Sequence, residues 1–68
     1  MKSLRHALLS EGVKYTNRNG FKYTVARCYN RDKYLMRSEA GYEFTAHCIT
    51  LYEDGTIEWD YSTGGMFR

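Results

Sequence analysis

The sequence predicts an α+β fold: a short N-terminal helix packed on a five-stranded antiparallel β-meander. Three features predict it. Apolar residues within the first ten positions fall at helical spacing, the apolar period changes to two from Val13 onward, and Asn19-Gly20 and Asp54-Gly55 each stand between alternating runs. The chain has 68 residues, which is one domain, 1–68. A chain this short hides only about 60% of the surface its unfolded form exposes, so its stability margin is thin.

The helix and its lead-in occupy 1–12. Ser3 is placed to cap it, Leu4, Leu8 and the neighbouring Ala7 share one side, and Gly12 suits a left-handed end. A helix of about nine residues does not hold by itself and must dock on the sheet.

The meander occupies 13–61, with strands at 13–16, 21–29, 33–37, 42–52 and 56–61. A three-residue loop Glu53-Asp54-Gly55 sets Leu51 opposite Ile57 and Ile49 opposite Trp59, gathering apolar residues on one face. A two-residue turn would scatter them. The same logic at Arg18-Asn19-Gly20 sets Tyr15 opposite Tyr23 and Val13 opposite Val25. Asn30-Arg31-Asp32 and Ser38-Glu39-Ala40-Gly41 supply the remaining turns. The sheet either stays open with the helix on one face or curls into a small barrel. A helix over 25–37 is the competing assignment, because Val25, Cys28, Tyr29 and Leu35 could share a face.

In 42–52 the apolar set begins on even positions, Tyr42, Phe44 and Ala46, and ends on odd ones, Ile49 and Leu51. A bulge between Ala46 and Cys48 would switch the faces; otherwise both faces are apolar and one needs a cover. Residues 62–68 are a tail or a last short strand folded back at Gly64-Gly65. The expected core is Leu4, Leu8, Val13, Phe21, Tyr23, Val25, Ile49, Leu51, Ile57 and Trp59.

No apolar run reaches 18 residues, so no membrane helix is expected, and Ala7-Leu8-Leu9 is too short for a signal-peptide core. Two cysteines are too few for a disulfide scaffold and read as small buried apolar groups. A cytoplasmic location follows from both. Charge is uneven. Residues 1–37 hold nine of the ten Lys and Arg with only Glu11 and Asp32 (+7), and 38–68 hold six acids with only Arg68 (−5).

No catalytic residue, metal ligand set or cofactor is expected. His6, Cys28, His47 and Cys48 lack metal-ligand spacing, and His47, opposite Tyr61 on the core side, reads as a structural histidine. Glu58 and Asp60 alternate with Ile57 and Trp59 as a solvated strand face does. Gly64-Gly65 lacks the Lys and helix of a phosphate loop. No stretch carries a motif transferable from a known family.

Two binding functions remain. The leading one is a small non-catalytic interaction protein, of the size of an accessory or inhibitor protein. It would meet a protein partner or a second copy through an aromatic sheet face or edge strand. Tyr42, Phe44, Tyr52, Met66 and Phe67 lack obvious places in the core and would form that surface. The alternative is binding of single-stranded RNA or DNA through strands 21–37. There Lys22, Arg27, Arg31, Lys33 and Arg37 are interleaved with rings including Tyr29 and Tyr34, cations meeting phosphates while ring faces stack on bases. The same cations could instead face the acids of strands four and five.

Overall fold

Two glycine-ended loops set the sheet. Gly20 and Gly55 take left-handed φ of 92° and 89°, as three-residue hairpin loops require. Their amides donate to the carbonyls of Asn17 and Tyr52 at 3.1 and 2.9 Å. Tyr15 then faces Tyr23, Leu51 faces Ile57 and Ile49 faces Trp59. These are the registers that gather apolar residues on one side.

The computed structural model describes residues 3–5 and 8–67, with side chains from Leu8 to Gly64. Its strands are β1 (Ser3–Arg5), β2 (Lys14–Asn17), β3 (Lys22–Asn30), β4 (Lys33–Ser38), β5 (Tyr42–Tyr52) and β6 (Thr56–Phe67). β2 to β6 form an antiparallel meander, and β6 pairs with β2 as well as β5. The sheet therefore closes on itself. An odd number of up-and-down strands leaves one parallel contact at the seam, Thr16 with Thr56 and Asn17 with Ile57. Arg18 ties the two hairpin loops there, donating to Thr56 Oγ1 at 3.4 Å and lying 3.8 Å from the Asp54 carboxylate.

The fold is all-β among the described residues, which corrects the α+β expectation. Ser3–Arg5 is not helical; it pairs with Thr50–Tyr52, the part of β5 beyond the reach of β4. An unpaired strand edge offers a short segment hydrogen bonds that a nine-residue helix would have to make alone. Residues 1, 2, 6 and 7 lie outside the described ones. Gly12 is left-handed, φ 82°, but in a turn. The helix considered for 25–37 is also absent, since β3 and β4 pair along that stretch.

Leu9, Val25, Tyr34, Met36, Phe44, Ala46, Ile49 and Ile57 are buried, with Tyr15, Tyr23, Cys28, Leu51 and Trp59 packed around them. Each fully buried large side chain stabilises by about 1.5–3 kcal/mol. Tyr23 meets Phe44 and Trp59 edge-on at 5.5 and 5.3 Å, the geometry that ring quadrupoles favour. Three expected core residues point outward: Leu8 and Phe21, each 62% exposed, and Val13. Leu9 fills the barrel instead of Leu8, its amide donating to the Tyr34 hydroxyl at 3.0 Å. Leu4 lies outside the described side chains.

The parity change in β5 occurs at Cys48, the one non-glycine with positive φ (60°) among the described residues. Phe44 and Ala46 point inward before it, Ile49 after it. Registry with β6 is unbroken across this point, so the switch is a left-handed kink and not an inserted residue. The Cys48 amide turns to the Asp32 carbonyl at 2.8 Å. β6 does not fold back at its glycines; with Gly64 at φ 66°, it absorbs one extra residue and continues to Phe67, opposite Tyr42.

Candidate nucleic-acid interface

β3 and β4 build the basic surface through two register shifts. Val25 faces Met36 and Arg27 faces Leu35, leaving Ala26 as an extra residue. Cys28 faces Tyr34 and Asn30 faces Lys33, leaving Tyr29 as a second. A bulge redirects the side chain it carries, and Tyr29 stands 46% exposed. On β4, Lys33 and Arg37 are exposed, while Tyr34 and Met36 point inward.

Tyr29 collects the cations. Lys33 Nζ lies 5.2 Å and Arg27 Cζ 6.0 Å from its ring centre. Each contact is worth about 0.5–1 kcal/mol at an exposed site. Arg31 is exposed in the adjoining turn. None of Arg27, Arg31, Lys33 and Arg37 forms an ion pair among the described residues. Two cations of the basic half do meet acids of the other half, Lys14 with Glu39 at 3.1 Å and Arg18 with Asp54. Both pairs are exposed and contribute little to stability.

Carboxylates bound the surface. Glu43 is the cross-strand neighbour of Arg37, Asp32 sits in the β3–β4 turn, and Asp60 precedes Tyr61. Glu11 accepts the Cys28 amide. The ring-centred group is thus Arg27, Tyr29 and Lys33, with Arg31 beside it and Arg37 toward the Glu43 side.

Two members of the expected basic set are not part of it. Lys22 stands at the other end of β3, roughly 17 Å from Arg27 along an extended strand, and lines a separate cleft with Phe21 and Glu39. Tyr34 is fully buried as a core pillar. Burial raises its phenol above the ordinary value of 10.0, opposed by the hydrogen bond from Leu9.

The expected aromatic surface is dispersed. Phe44 belongs to the core, because the kink at Cys48 lets even positions before it point inward. Tyr42 leans on Phe44 at 5.8 Å on the rim. Tyr52 is half-buried, its hydroxyl donating to Glu58 Oε1 and its ring covered by the Arg18 guanidinium at 4.4 Å. Met66 and Phe67 continue the β6 backbone, and their side chains lie outside the described ones.

One pair was not anticipated on this surface. His47, the neighbour of Lys33 on β5, stacks on Tyr61 of β6 with ring centres 4.4 Å apart and planes 5° from parallel. His47 Nε2 and Thr63 Oγ1 share a 2.8 Å hydrogen bond. The register pairing of His47 with Tyr61 is legible in the sequence, but the expected core side is wrong. Tyr61 is 54% exposed, on the outer side of the kink. Among the described residues no cluster of three or more His, Cys, Asp or Glu is arranged to hold a metal, and Cys28 and Cys48 are free thiols.

Fold and surface together define a small closed β-barrel with a basic, tyrosine-bearing outer face. No family model matches the chain, and no curated protein or solved structure resembles it at a significant level.

Proposed function

We propose that the outer face of β3 and β4 binds single-stranded nucleic acid, with Tyr29 stacking on a base and Arg27, Arg31 and Lys33 meeting phosphates. The observation that carries this reading is the bulged Tyr29, held outward between two cations that have no carboxylate partner among the described residues. Such a ring can take a base of any identity, because every base has a π-face, and its neighbours supply the counter-charge. The reading of a protein partner on an aromatic face loses its centre, since Phe44 is packed against Tyr23 and Trp59.

Fluorescence anisotropy with labelled single strands tests the proposal. Tyr29→Ala should weaken binding by about 5- to 150-fold, the equivalent of roughly 1–3 kcal/mol of stacking. Affinity should fall with salt at a log–log slope of about −2, as expected for three phosphate contacts at roughly −0.7 each. An Arg27→Ala, Arg31→Ala, Lys33→Ala triple variant that keeps wild-type affinity at low salt would overturn it.

A further inference from the structure

We propose that His47 and Tyr61 form a second base-stacking station, so that a bound strand runs across β3, β4, β5 and β6 and not along them. This rests on the nucleic-acid reading above and specifies the path and the minimum length of its ligand. Lys33, His47 and Tyr61 are consecutive cross-strand neighbours on β4, β5 and β6, and Tyr29 flanks Lys33 on β3. Two exposed tyrosines therefore end one row, with Lys33 and His47 between them. Three strand spacings of roughly 4.8 Å separate them by about 14 Å.

The Tyr61 end is built as a platform. His47 covers one face of the ring, and the Thr63 hydrogen bond holds the imidazole in its orientation. A ring immobilised before binding loses little rotamer freedom when a base arrives, which favours affinity. The stack points across the strands, so a base on the other face of Tyr61 would lie at the outer edge of β6. The strand pairing of that edge with β2 is Thr16 with Thr56 and Asn17 with Ile57, so among the described residues no paired strand stands beside Tyr61 on that side. A duplex buries its base faces in its own stack and could use neither tyrosine.

Oligothymidylates of about two to about eight nucleotides distinguish the possibilities. With two stations, wild-type affinity should rise as the strand becomes long enough to span both rings. Tyr61→Ala should cut affinity for the long oligomers about tenfold and leave the shortest unchanged. Tyr61→Phe, which keeps the ring, should bind within about twofold of wild type, and thermal unfolding of both variants would confirm a folded barrel. Tyr29→Ala should weaken every length. Equal binding of wild type and Tyr61→Ala at all lengths, with Tyr29→Ala weakened, would overturn the second station alone. Failure of the wild type to bind any single strand, or equal binding of duplex, would overturn the underlying reading together with it.

Discussion

The carboxylate of Glu11 accepts the backbone N–H of Cys28 at 3.0 Å. β2 pairs with β3 only from Lys22 to Thr24, so this amide lies where β3 has lost its strand neighbour. A side chain from the lead-in segment closes the barrel wall where backbone does not. Glu11→Ala should cost about 1 kcal/mol and speed hydrogen exchange at the Cys28 amide, while Glu11→Gln, whose amide oxygen can still accept, should lose less. Equal stability and equal Cys28 exchange in all three forms would show that the contact contributes nothing.

Tyr34 joins the lead-in to the core through a single hydroxyl. Tyr34→Phe keeps the ring but leaves the Leu9 amide without its acceptor, a loss of about 1–3 kcal/mol. Tyr34→Ala should cost about 3–5 kcal/mol and leave a domain of this size largely unfolded.

The same residue predicts behaviour at high pH. Its folded pKa is raised above 10.0, so the unfolded chain releases the proton first. The contribution is fully present below about pH 10 and declines as pH rises toward the folded value. Urea unfolding of wild type and Tyr34→Phe should therefore show the stability gap narrowing above pH 10. A gap that widens there would contradict the burial of this phenol.

Cys48 occupies a left-handed conformation that side chains with a branched β-carbon tolerate poorly. Cys48→Val should be destabilising by about 1–3 kcal/mol despite adding apolar surface. Cys48→Gly should be much milder. Denaturant midpoints in the reverse order would place the kink elsewhere.

At the β5–β6 loop, hydrogen bonds from the Thr56 hydroxyl and amide, and then the Arg18 charge, lower the Asp54 pKa below 3.8. The folded state therefore favours the carboxylate. The contribution is present above the ordinary value and is lost as pH falls through the lowered one. Asp54→Asn, which retains an oxygen for Thr56, should flatten the acid limb of stability below about pH 4. An unchanged acid limb would count against this linkage.

Strand positions between Val13 and Tyr61 were legible because alternation and glycine placement are local properties, whereas the strand at Ser3–Arg5 and the run of β6 on to Phe67 depend on pairing with β5. The two hairpin registers follow from which loop length aligns Tyr15 with Tyr23 and Ile49 with Trp59. The parity change in β5 was visible too, as Phe44 and Ala46 against Ile49 and Leu51, and the structure places the switch at Cys48. Alternation alone does not say which of the two sets faces inward before the switch, so Phe44 reads as a surface ring in sequence and packs in the core in the structure. Tyr34 and Tyr29 were indistinguishable in sequence as rings among cations. β4 buries one, and a register shift against β4 turns the other out.

Within 13–61 the sequence by itself determined where the chain extends, where it turns and that consecutive strands pair, since these depend on alternation and on glycines at φ > 0. Tertiary structure alone decided that the sheet closes, that Ser3–Arg5 joins it as a strand, and that Tyr29, His47 and Tyr61 share an outer face with Lys33. Those outcomes depend on which edges are left unpaired and where two strands slip past each other. Both are properties of partners distant in the chain.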